Sequence, residues 1–295
     1  MSEWRNIEQI ITRYMGESYS VQSVSKVAGG SINSSYVLAD ASGQKYFVKT
    51  NKTELHEMFV AETRGLAEIG NTQTIGVPKF VGEGKDSRQS FLILEFLELA
   101  ASSRRSTIDF AEQLARMHRC TKKQYGWYQN NTIGSTQQIN THTAEWVSFW
   151  QEHRLGFQLA LAESNGYGQR LQIKGDKLLA NIPVFFNNHF PEASLLHGDL
   201  WSGNYGFTRD GHPVIFDPAV YYGDREADIA MTELFGNFGR DFYASYNNAF
   251  PLSADYAVRK ALYNLYHILN HLNLFGAGYL SQAESMIDYL LAEIS

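Results

Sequence analysis

Four polar residues in two short segments have the types and spacing for phosphoryl transfer. His197-Gly198-Asp199-Leu200-Trp201-Ser202-Gly203-Asn204 sets an acid and an amide at the interval of the loop H-x-D-x-x-x-x-N, and Asp217 follows after Val214-Ile215-Phe216. In such a loop the first acid, Asp199, accepts the proton of an attacking hydroxyl, while Asn204 and Asp217 hold Mg²⁺ on the phosphates of ATP. Oxygen donors suit that small, hard ion. Alone, Asp199 and Asn204 read equally well as turn caps, because both residue types favour turns in any fold. Asp217 and an upstream lysine supply the context that the motif requires.

That lysine is Lys49, at the end of a strand over 44–50 in which Lys45, Phe47 and Lys49 share one face. From this position a lysine reaches the α- and β-phosphates. The carboxylate chosen to pair with it is Glu62, on the helical face of Leu55, Phe59 and Leu66, with Glu57 in reserve. Ala28-Gly29-Gly30-Ser31-Ile32-Asn33 departs from G-x-G-x-x-G, yet Gly29 and Gly30 permit close backbone approach to phosphate, with Ser31 and Asn33 as polar neighbours. It reads equally well as an ordinary hairpin turn. Position alone nominates Glu95 and Leu97 to offer backbone groups to adenine.

The elements that must hold these residues fall into two parts. Strands over 23–27, 34–39 and 44–50 form a meander, a helix capped by Thr53 runs over 54–69, and strands over 77–82 and 91–95 follow. The run Phe91-Leu92-Ile93-Leu94 suits a strand buried on both faces. Residues 95–101 read as a hinge. Beyond it come helices over 108–121, 143–163 and 171–186, a hairpin at Arg209-Asp210-Gly211, and helical periodicity over 255–294. The predicted division is a nucleotide-binding part over 1–97 and a catalytic, acceptor-binding part over 98–295.

Composition bounds the partners. The 295 residues carry a formal charge of −6, which argues against a broad nucleic-acid surface. Cys120 is the only cysteine, so no internal disulfide forms and a reducing, cytoplasmic compartment is expected. The first 27 residues lack the apolar core of a signal peptide, and the run 91–101 is too short to span a bilayer, so no membrane partner is expected. Oligomeric state is not legible. His118 and Arg119 read as basic residues at a helix C-terminus. His267 and His271 have i, i+4 spacing without the context of a zinc motif.

The segments 197–204, Asp217-Pro218-Ala219-Val220-Tyr221-Tyr222-Gly223 and Asp224-Arg225-Glu226-Ala227-Asp228-Ile229-Ala230-Met231 together resemble the fructosamine kinase and ketosamine-3-kinase group, relatives of the aminoglycoside phosphotransferases. Weaker likenesses at Tyr125-Gly126-Trp127, Asn131, Ile133-Gly134 and 146–155 extend this over nearly the whole chain. The resemblance implies an α+β, two-lobed protein-kinase-like fold: a small antiparallel-sheet lobe with one helix and a larger, mainly helical lobe. It also implies transfer from ATP to the 3-hydroxyl of a free or protein-linked ketosamine, with Asp199 as base and Asn204 and Asp217 as magnesium ligands. Asp217-Pro218 stands where protein kinases have Asp-Phe-Gly, so control by a phosphorylated loop is not expected. The acidic run and nearby aromatic side chains nominate Trp201, Tyr221, Tyr222, Asp224 and Glu226 for a cationic sugar-amine. The alternatives are an aminoglycoside or amino-alcohol acceptor, a pseudokinase that only binds nucleotide, and a metal-dependent hydrolase using His197, Asp199 and Asp217.

Overall fold

The computed structural model describes residues 4–27 and 32–294. They fall into two compact units, one of residues 1–106 with 205–217, the other of 107–204 with 218–295.

In the first unit, helix α1 (Arg5–Met15) precedes strands β1 (Ser23–Val27), β2 (Ser34–Ala39) and β3 (Lys45–Asn51). Helix α2 (His56–Asn71) and strands β4 (Phe80–Lys85) and β5 (Ser90–Glu95) follow. The five strands form one antiparallel sheet in the order β1-β2-β3-β5-β4. Alternation of side chains explains why β5 is apolar throughout. Phe91 and Ile93 join Ile7, Ile11, Tyr46 and Val48 on the α1 side, while Leu92 and Leu94 join Met58, Phe59 and Leu66 of α2. Each fully buried large side chain there contributes about 1.5–3 kcal/mol. The same alternation in β3 sends Lys49 to the α2 side, with Phe47.

Two sequence expectations change in this unit. The sheet carries α1 as well as α2, because Ile7 and Ile11 recur one turn apart and bury against the strands. Thr53 does not cap α2: residues 53–55 form a 3-10 turn, and the Thr53 hydroxyl donates to the Asp86 carbonyl. The hairpin of Tyr205–Thr208 and Pro213–Ile215 forms as expected and adds Leu99–Ala100 as a third strand.

Helix α3 (Arg104–His118) starts earlier than its periodicity suggests, because Ser103 and Ser106 each bond the other's backbone N–H. In the second unit, α4 (Trp146–Trp150) and α5 (Phe157–Ser164) are separated by a π-helical turn over 151–156 that buries Arg154. One helix had been expected there. Helix α6 (Gln169–Asn181) passes into a 3-10 turn at Pro183. Helices α7 (Glu226–Leu234), α8 (Arg240–Ala249), α9 (Tyr256–Phe275) and α10 (Leu280–Glu293) complete it, with α9 presenting buried residues around much of its circumference. Ala193–Leu196, which leads into His197, pairs with Tyr221–Gly223 and Thr121–Lys122.

Candidate active site

In the first unit, Lys49 Nζ lies 2.7 Å from Glu62 Oε1 and also bonds Asp217 Oδ1. Lys49 and Glu62 are buried, whereas the Asp217 side chain is 44% exposed. Burial alone would lower the Lys49 pKa, but the carboxylates of Asp217 and Glu62 reverse the effect and push it up, so the lysine stays cationic. Burial raises the Glu62 pKa, Lys49 opposes the rise, and the like charge of Asp217 adds to it. Of the two carboxylates weighed for Lys49, Glu62 is the partner; Glu57 points to solvent beside His56. Asp217 has φ +59°, a left-handed conformation that non-glycine residues hold only when the surrounding fold enforces it.

The second unit holds the loop from His197 to Asn204. Asp228, on the first turn of α7, accepts the backbone N–H of His197 at 2.7 Å and that of Gly198 at 2.8 Å. Gly198 has φ +82°, and a Cβ there would stand 2.1 Å from the Ala219 carbonyl oxygen, so the turn into Asp199 requires glycine. Asn204 closes the loop by donating from Nδ2 to the Asp199 carbonyl at 2.9 Å. The Trp201 indole is half-buried and lies against Gly203.

Behind Asp228 stands His118, fully buried, with Nε2 3.1 Å from the carboxylate and Nδ1 2.7 Å from the Tyr246 hydroxyl. Arg225 donates to that hydroxyl oxygen at 3.1 Å, which leaves the hydroxyl proton for His118 Nδ1. His118 is therefore neutral with its proton on Nε2, directed at Asp228. Burial holds its pKa below the ordinary value, consistent with that tautomer. Asp228 in turn is kept below the usual carboxylate range: burial opposes this, but His118 and the Gly198 N–H prevail.

The fructosamine kinase family profile matches residues 3–293. This chain belongs to the fructosamine kinase family. A Synechocystis protein assigned as a ketoamine kinase is 44% identical over 98% of this chain and 97% of its own. The protein-ribulosamine 3-kinase of Oryza sativa subsp. indica is 44% identical over 92% and 80%. The crystal structure of a Haemophilus somnus protein assigned as a fructosamine-3-kinase superposes with a TM-score of 0.90 at 32% identity, covering 98% and 97%. The fold is the α+β protein-kinase-like one that the resemblance implied.

Asp217 offers a carboxylate, and Asn204 donates through Nδ2, so its Oδ1 is a hard oxygen donor of the kind a divalent ion takes. Gly29, Gly30 and Ser31 lie outside the described residues. Asn33 accepts from Asn51 Nδ2 at 2.7 Å, tying the end of that turn to β3. Glu95 ends β5 and accepts the Lys79 N–H on its side chain, and Leu97 lies half-buried in the link to Leu99–Ala100.

Of the five acceptor residues nominated from sequence, Tyr221, Tyr222, Asp224 and Glu226 are buried. Tyr221 covers the Arg154 guanidinium at 4.1 Å and stacks with Phe149, and Tyr222 is buried beside Lys122. Asp224 accepts from Tyr263 at 2.5 Å and bonds His189 at 2.6 Å, while Glu226 receives Arg259 at 2.8 and 3.2 Å. The carboxylates of Asp224 and Glu226 are engaged within the chain. Trp201 retains accessible surface. Sequence reasoning missed the roles of His118 and Asp228; the spacing of Asp228 from Asp217 was visible, but nothing marked its partners.

Proposed function

We propose that this chain transfers the γ-phosphoryl group of ATP to a sugar hydroxyl, O3, of a ketosamine such as a fructose or ribulose amine. The observation that carries the reading is the buried Lys49–Glu62 ion pair joined to Asp217, because it presents one cation and one left-handed carboxylate at the end of a hairpin. Relatives named for ketoamine and ribulosamine support the acceptor class.

Magnesium, when bound, would neutralise charge on the phosphate oxygens; Asn204 Oδ1 and Asp217 are the residues that would hold it. Lys49 binds the α- and β-phosphates and keeps its charge through Glu62. Asp199 accepts the proton of the acceptor hydroxyl as its oxygen bonds the γ-phosphorus and the bond to the bridging oxygen breaks, releasing ADP. Residues 1–97 form the nucleotide-binding part and residues 98–295 the catalytic, acceptor-binding part. The enzyme acts in the cytoplasm, on free or protein-linked adducts. No helix among the described residues is long and apolar enough to cross a membrane.

The test is an acceptor panel of fructosamines, ribulosamines, aminoglycosides and simple amino alcohols, read by ADP release. Turnover concentrated on ketosamines supports the reading. Turnover confined to aminoglycosides or amino alcohols, or nucleotide binding without turnover, overturns it.

A further inference from the structure

The backbone that leaves Asp217 is held by side-chain amides. Gln138 Nε2 donates to the Ala219 carbonyl at 2.9 Å, and Asn131 Nδ2 donates to the Val220 carbonyl at 2.8 Å. The Ala219 N–H donates to the His197 carbonyl at 2.8 Å, so the same short segment is bonded to the strand end that leads into Asp199. Both amides come from one small hairpin, Asn131–Ile133 with Thr136–Gln138.

The amides are themselves fixed. Asn131 Oδ1 accepts from Gln138 at 2.9 Å and from Asn140 at 2.8 Å, and Asn140 Oδ1 accepts from Arg154 at 2.8 Å. Tyr266 donates its hydroxyl to Gln138 Oε1 at 2.8 Å. Asn131, Gln138, Asn140, Arg154 and Tyr266 are all buried. Burying such a group is costly unless its members are bonded, and these amides are oriented by one another before they meet the backbone. A hydrophobic cluster would fill the same space without choosing a position for Ala219 and Val220. The network does choose one, two residues from the strained Asp217. Tyr266 also feels the charge of Asp199, which raises its pKa on top of the larger effect of burial.

We propose that Gln138 and Asn131 are positioning residues for phosphoryl transfer, clamping the Ala219–Val220 backbone beyond Asp217 onto the His197 backbone that leads into Asp199. The inference rests on the kinase reading for its kinetic arm only. Each amide acts through a backbone carbonyl and touches no substrate.

The experiment compares wild type with Gln138→Met, which keeps length and loses the donor, and with Gln172→Met, which removes a half-buried amide bonded to the Leu159 carbonyl, outside the network. Hydrogen exchange by mass spectrometry is read over residues 197–200 and 218–221, alongside kcat, KM and magnesium dependence at a temperature where all variants are folded. Gln138→Met is expected to accelerate exchange in those two segments, to lower kcat by about 10- to 100-fold and to raise the magnesium requirement, with ketosamine KM little changed. Gln172→Met is expected to lower the melting temperature without either effect. If Gln138→Met does not fold, Gln138→Glu, which keeps an acceptor for Tyr266 and loses the donor for Ala219, is read in the same way. Unchanged exchange in the two segments, or unchanged kcat, overturns the clamp, as does a loss of kcat of equal size in Gln172→Met. A wild-type protein inactive on every ketosamine sinks the kinase reading instead, and the exchange comparison still decides the clamp.

Discussion

Asp228 accepts the backbone N–H of Gly198 at 2.8 Å, so a carboxylate on α7 shapes the turn that delivers Asp199. The other oxygen takes the His197 N–H, and His118 completes the set. Asp228→Asn retains the size but offers one acceptor where three donors converge. Leaving a buried N–H without a partner costs about 1–3 kcal/mol. Chemical denaturation should show a loss of that order, and kcat should fall more steeply than the affinity for ATP.

The pair of Lys49 and Glu62 separates binding from stability. Lys49→Met removes the cation between two carboxylates; a charge-assisted bond of about 1.5–3 kcal/mol corresponds to a loss of about 10- to 150-fold in kcat/KM for ATP. Glu62→Gln should lose less, because the lysine remains near Asp217. Steady-state kinetics with ATP varied at saturating ketosamine checks the order of the two variants.

Acid should destabilise the protein below about pH 6.5. Burial drives the His267 pKa down from 6.5 to about 3, with the neighbouring His271 adding to the shift, and His118 is also lowered. The native state therefore binds fewer protons than the unfolded chain as pH falls below 6.5, and stability declines, by at most about 1.4 kcal/mol per pH unit for each histidine. His267 Nδ1 has no hydrogen-bond partner among the described residues. His267→Leu should flatten the dependence of the melting temperature on pH between about 6.5 and 4 while leaving the His118 contribution.

Trp201 is the one nominated acceptor residue that keeps accessible surface. Trp201→Ala should raise KM for a cationic ketosamine by about 2- to 30-fold, the equivalent of about 0.5–2 kcal/mol of ring contact, with KM for ATP unchanged. A neutral sugar acceptor should show a smaller rise, which a paired substrate titration measures.

Where local pattern decides the outcome, the sequence is a good guide. Alternation placed Lys49 opposite Tyr46, and helical spacing chose Glu62 over Glu57. The apolar run in β5 pointed to burial on both faces, and α1 and α2 supply the two covers. Where distant partners decide, local pattern fails. Asp224 and Glu226 look like exposed acids until Tyr263 and Arg259, more than thirty residues away, are folded against them. His118 looks like a helix-end cation, yet Tyr246 and Asp228, both over a hundred residues away, make it a buried neutral donor. The π-helical turn at Arg154 breaks a helix whose apolar spacing runs on without interruption.

The most direct test of ketosamine phosphorylation through Asp199 compares wild type with Asp199→Asn for ADP release with Mg-ATP and a fructose or ribulose amine, alongside ATP binding. Ketosamine-dependent turnover is expected in the wild type, with turnover abolished and ATP binding largely retained in Asp199→Asn. Equal turnover in the two proteins, or ADP release from the wild type that ignores the ketosamine, would contradict it.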